Sequence, residues 1–148
     1  MARGAKDYRV PPHLVALGIS QNLFGTWLDK VTNAHVKRDA ARSKTKINRM
    51  TYRSAIYKAV ANGGDKDYYT GEPLDWRLLA HFSSKSISSR KDKRVPSVDH
   101  ESVDPKAPIF RICSLRTNKC KSDFSVEEMK EFCEAFLKYQ NQSKVKIS

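Results

Sequence analysis

The sequence is poor in cysteine: Cys113, Cys120 and Cys133 are the only three in 148 residues, and they form no C-x-x-C pair. An odd number without that spacing fits neither a disulfide framework nor a zinc ribbon, so no structural zinc is expected and a reducing, cytoplasmic setting is. Long apolar runs are also missing. The longest near the start, Leu14 to Ile19, is far too short for a membrane span, and Pro11 and Pro12 precede it where a signal peptide carries basic residues. A soluble protein with no membrane partner is the expectation. Acidic residues are scarce, sixteen Asp and Glu against twenty-eight Lys and Arg, which leaves a formal charge of +12. That bias points to a polyanion as partner. The chain has no internal repeat. Its length, at 39% hydrophobic residues, suits a single compact domain, or one domain with a helical extension, and leaves no room for two independent enzyme domains.

The charge is unevenly spread. Residues 1–60 hold twelve Lys or Arg against three Asp, net +9, whereas 123–139 hold five acids against two Lys, net −3. Ser20 is a suitable N-cap for a long helix in which Leu23, Trp27, Leu28 and Val31 form one apolar stripe. Its basic continuation, His35 to Arg42, is expected to be solvated, with Lys37, Arg38 and Arg42 available to phosphates. After a polar break over 43–48, Tyr52, Ala55, Ile56, Ala59 and Val60 predict a second amphipathic helix closed by Asn62-Gly63-Gly64. The two make a helical hairpin over 1–62.

From Asp67 the texture changes. Tyr68 to Leu74 reads as a strand into a Gly-Pro turn, and Asp75 caps a short helix running through Phe82. Residues 83–94 are Ser-rich and basic, a loop suited to phosphates or simply to water. Val95 to His100 and Ile109 to Leu115 read as strands of a hairpin, joined through Asp104-Pro105-Lys106-Ala107-Pro108. Ser125-Val126-Glu127-Glu128 is a capping box, with Phe124 and Met129 as its staple. Met129, Phe132, Cys133, Phe136 and Leu137 then share one face, which predicts a C-terminal helix covering the hairpin. The tail over 141–148 is expected to fray. The fold class is therefore α+β: an N-terminal helical hairpin (1–62), a core of hairpin and helix (63–140), and the tail.

The chemistry sits in Ser97-Val98-Asp99-His100 and, eighteen residues on, Asn118. Adjacent strand residues face opposite sides, so Asp99 and His100 act together only where the strand ends or bends, and a loop beginning at Glu101 would allow that. If a short helix begins near Thr117, Asn118 lies in its first turn and faces the first strand. An Asp and an Asn oxygen suit a hard, water-bearing cation such as Mg²⁺ or Mn²⁺, and a neutral His beside them can take a proton from water. Arg111 and Arg116 flank this site as candidate phosphate clamps. Lys121 could contact phosphate or be merely solvated. His13, His35 and His81 have no matching ligand cluster, and Trp27, Trp76, Cys113 and Cys133 read as packing residues.

V-D-H at 98–100, then a strand, then N-K-C-K-S-D at 118–123 and S-V-E-E at 125–128 resembles the ββα core of the HNH, or ββα-metal, nucleases. It is especially similar to the HNH domains of RNA-guided CRISPR effector nucleases. Tyr69-Thr70-Gly71-Glu72-Pro73-Leu74 resembles the Y-[TS]-G-x-x-[IL] stretch upstream of that core. The resemblance covers about residues 67–139. It implies Asp99 and Asn118 as metal ligands and His100 as general base in one-metal hydrolysis of DNA, leaving a 5′-phosphate; RNA remains open as a substrate. Two features depart from the family. Its central Asn, which orients the base, would fall near Ile109, so another group must hold His100, and the zinc-binding cysteine pairs are absent. The alternative reading is a non-catalytic basic nucleic-acid-binding module that retains the ββα frame.

Overall fold

The computed structural model describes residues 8–81 and 94–145. The basic loop expected over 83–94 lies outside the described residues except for Arg94. The chain divides into two compact units, Met1–Asn118 and Lys119–Ser148. The first begins with a one-turn helix, α1 (Pro12–Val15), followed by α2 (Gln21–Ser43) and α3 (Arg49–Gly63). Ser20 caps α2 as expected, its Oγ accepting the Leu23 N–H at 3.1 Å. Asn48 caps α3, its Oδ1 accepting from Met50 and Thr51.

The interior face of α2 is longer than its apolar stripe. Phe24, Trp27, Leu28 and Val31 are buried, and the burial continues through His35 and Asp39. The expectation of a fully solvated second half is therefore corrected. Residues 35 and 39 follow Val31 at i+4 and i+8, so they stay on the inner face, whereas Lys37, Arg38 and Arg42 point to solvent.

Residues 67–74 form a turn rather than a strand, with one isolated bridge between Lys66 and Pro73. Asp67 organises it, Oδ1 accepting from the N–H groups of Tyr69 and Thr70 at 2.8 and 3.1 Å. A side chain that closes the backbone locally competes with ladder pairing. A 3₁₀ turn, Trp76–His81, follows, where Asp75 caps the Arg77 N–H. β1 (Pro96–Ser102) and β2 (Ile109–Ser114) then form the antiparallel hairpin, with Asp99 opposite Arg111, His100 opposite Phe110, and an irregularity between His100 and Ser102. The α4 helix (Leu115–Lys121) starts directly from β2. The order strand, strand, helix is thus present.

One core joins these elements. Trp27 and Trp76 meet edge to face at 5.5 Å, and Tyr52, Ile56 and Val60 of α3 share a buried cluster with Val98, Phe110 and Ile112 of the hairpin. The stripes of α2 and α3 are buried by the same residues that bury the hairpin. Val31, Leu28 and their neighbours have no separate core of their own.

In the second unit the capping box closes reciprocally. Ser125 Oγ accepts the Glu128 N–H at 3.1 Å and Glu128 Oε2 accepts the Ser125 N–H at 2.8 Å. α5 (Val126–Val145) runs beyond the point where fraying was expected. Phe132 and Phe136 follow one another along the expected apolar face of α5, their rings stacked with centroids 6.4 Å apart.

Candidate functional site

Strand alternation sorts the site residues onto two faces of β1. Ser97 and Asp99 lie on one and Val98 and His100 on the other. On the first face Tyr69 reaches from the preceding turn and donates its hydroxyl proton to Asp99 Oδ2 at 2.7 Å. Asp99 is 7% exposed. Burial, then the hydrogen bond to Asp99, raises the Tyr69 pKa well above that of a free phenol, so Tyr69 stays a donor.

Asn118 joins this side from α4. Its Nδ2 donates to Ser97 Oγ at 2.9 Å and to the Val98 carbonyl at 3.1 Å. A carbonyl only accepts, so the amide atom facing it is the nitrogen, and Oδ1 is the atom left for another partner. Asp67 anchors the start of α4, its Oδ2 accepting the Ser114 N–H at 2.8 Å. Burial pushes the Asp67 carboxyl up, but hydrogen bonds from Ser114, Thr117, Tyr69 and Thr70 outweigh it and hold the pKa below the ordinary value.

His100 faces the other way, into the packing between α2, α3 and the hairpin. Its side chain is 11% exposed, and its ring lies 4.6 Å from that of Phe110 and 4.8 Å from that of His35. Nε2 is 2.8 Å from Asp39 Oδ2, a close contact that lacks the in-line geometry of a hydrogen bond. The same oxygen accepts the Tyr52 hydroxyl at 2.6 Å. Burial lowers the His100 pKa against the pull of Asp39, with Arg38 lowering it further. His35 Nε2 donates to the Val98 carbonyl at 3.1 Å, which leaves Nδ1 to accept from Arg38 at 2.6 Å. Burial, aided by His100 and Arg38, brings His35 down to about 3.

The structure therefore brings Asp99 and Asn118 to one side of the hairpin and sets His100 on the opposite face. The expected release of the strand at Glu101 does not occur, since β1 continues to Ser102 and its irregularity falls after His100. The flanking arginines are engaged with acids. Arg111 Nε bonds Glu101 and Arg116 bonds Glu72 at 3.1 Å. Lys121, a candidate phosphate contact, is only 7% exposed. Lys37, Arg38 and Arg42 are exposed along α2.

Sequence reasoning missed Asp39, Tyr52 and Tyr69 as partners of the dipeptide at 99–100. Tyr69 lay within the upstream turn already singled out. For Asp39 the available signal was its i+8 spacing from Val31. Among the described residues, no three or more His, Cys, Asp or Glu side chains are placed to hold a metal, so a cation at this hairpin would rest on Asp99 and Asn118. No helix among them is long and apolar enough to cross a membrane. No protein-family model matches the chain, and neither does any curated protein or solved structure.

Proposed function

We propose that the protein is an HNH-type, divalent-cation-dependent nuclease that hydrolyses DNA phosphodiester bonds. The observation that supports this reading is the succession β1, β2, α4, with Asp99 on the strand and Asn118 on the helix along one side of the hairpin. Asp99 and the Oδ1 of Asn118 would offer a cation two hard oxygens, the donor type that Mg²⁺ or Mn²⁺ takes. When bound, such a cation would offset the charge that develops on the phosphate and the departing oxygen. Tyr69 fixes the Asp99 carboxylate, and the bonds from Asn118 Nδ2 hold α4 against β1. His100 is the group assigned to take the proton from the attacking water, with Asp39 beside it in place of the family's central Asn. The exposed cations of α2 supply sequence-independent affinity for the backbone of the substrate.

One observation favours a second reading, a basic nucleic-acid-binding module that keeps the ββα frame without hydrolysis. His100 is turned into the core, away from Asp99, where it packs as a structural histidine. Incubating supercoiled plasmid with the purified protein in Mg²⁺, Mn²⁺ or EDTA separates the two. The nuclease reading requires nicked or linear product with either cation and intact plasmid in EDTA. Salt-sensitive binding without cleavage in any of the three would leave the binding module.

A further inference from the structure

A groove of about 360 Å³ runs between α3 and β2. Lys58, Ala59 and Asn62 line it from α3, Tyr68 from the turn that follows, and Ile109 and Arg111 from β2. Two of these are cations, and no carboxylate is among the lining residues. Among the described residues Lys58 has no ion-pair partner. Tyr68 is 52% exposed and Ile109 46% exposed, so both offer apolar surface to a ligand in the groove. The Arg111 guanidinium lies over the Tyr68 ring, 4.4 Å from its centroid, and is held there by Glu101.

These features match the needs of one particular ligand class. A planar base gains most from an exposed aromatic ring or guanidinium plane, while its phosphate needs a cation a few ångströms away. Small side chains on α3 leave the space between helix and strand open, and the volume is within the range of sites that enclose small ligands. Arg111 is also the cross-strand partner of Asp99, so a strand entering the groove is led toward the proposed metal pair. We infer that this groove holds one unstacked nucleotide of single-stranded DNA. The base lies on the Tyr68–Arg111 pair and its phosphate beside Lys58. This rests on nucleic acid being the substrate, and does not depend on hydrolysis.

The test is equilibrium binding in EDTA of two labelled oligonucleotides of equal length, an oligothymidylate and its fully abasic counterpart. The parent protein should bind the thymidylate more tightly. Tyr68→Ala should weaken thymidylate binding roughly 5- to 150-fold and leave abasic binding unchanged, while Tyr68→Phe, which keeps the ring, should retain affinity. Lys58→Gln should weaken both oligonucleotides and lower the salt slope by about 0.7. Ala59→Leu fills the groove without removing any contact and should also act on the thymidylate alone, so the inference stays testable if Tyr68→Ala fails to fold. Equal binding of the two oligonucleotides by the parent, or parental discrimination in Ala59→Leu, overturns the groove assignment. A protein that cuts plasmid yet shows no preference for bases sinks this inference alone, and one that prefers bases yet never cuts sinks only the nuclease reading.

Discussion

Asp99 and His100 are consecutive in the chain and serve opposite faces of β1: the carboxylate meets Tyr69, and the imidazole meets Asp39 across the core. A substitution at either position is therefore felt in a different part of the molecule, and activity and stability become separable readouts.

His100→Ala should do two things. If His100 takes the proton from water, the cleavage rate of the folded fraction should fall on the order of 10² to 10⁴. Because the ring is packed against Phe110 and His35, the same change should also cost about 2–4 kcal/mol of unfolding free energy through the cavity it leaves. Urea unfolding and plasmid cleavage on one preparation would measure both. A destabilised variant with the parental rate per folded molecule would end the general-base assignment.

Tyr52→Phe removes only the hydroxyl that donates to Asp39 Oδ2. The expected loss is about 1–2 kcal/mol, since a buried carboxylate is left with one donor fewer. Asp39→Asn in the same background should be less costly than in the parent, because the two groups share one network. Additive losses in a double-mutant cycle would show that the contact carries no coupling.

Asn118→Ala should reduce cleavage and raise the cation concentration needed for it, with partial recovery at high Mn²⁺. The variant also loses two hydrogen bonds that tie α4 to β1, so about 1–3 kcal/mol of stability should go with them. Unchanged cation dependence in a folded Asn118→Ala protein would remove Asn118 from the metal pair.

Acid should unfold the protein through its buried histidines. His35 sits at about 3 in the folded chain, whereas the unfolded chain takes up this proton near the ordinary value of 6.5. Between those two values the unfolded state binds more protons. The contribution of His35 is thus complete above about pH 6.5 and is lost as pH falls toward 3, at about 1.4 kcal/mol per pH unit. The lowered pKa of His100 acts in the same direction. Urea titrations from pH 7.5 to 4.5 should show this slope in the parent and a shallower one in His35→Gln. Equal slopes would place the acid sensitivity elsewhere.

Replacing Lys37, Arg38 and Arg42 together by Ala should weaken DNA binding and flatten its dependence on log salt, since each neutralised phosphate releases condensed counterion. Anisotropy over a salt series reads the slope directly, and a parental slope would assign the α2 cations another task. Arg38 also bonds His35, so a small loss of stability should accompany the change.

Features that depend on local chemistry were legible in the sequence. Ser20 and the Ser125–Glu128 box cap helices through bonds that span three residues, and the prolines at 105 and 108 place the turn between β1 and β2. The buried polar network was not legible, because His35 and Asp39 carry the composition of a solvated face and meet their partners only through Tyr52 of the next helix and a strand some sixty residues later. Asp67 misled for a related reason. The β-rich run after it suggests a strand, and its own side chain turns the backbone before pairing can start. At the site, the dipeptide at 99–100 disclosed its alternation but not the length of the strand that enforces it. Where β1 stops is set by pairing with β2, which no local pattern reports.

The distance along the chain between His35 and the Val98 carbonyl has a consequence for how the molecule folds. The α2–α3 hairpin closes through sequential neighbours and can assemble early, with Tyr52 already donating to Asp39, but on its own it leaves the Nε2 of His35 to water. Only when β1 arrives, after a loop of some sixty residues has closed, does the Val98 oxygen relieve His35 and the His100 ring cover Asp39. Closing that loop thus completes the hydrogen bonding of a histidine that the helical hairpin alone leaves to water.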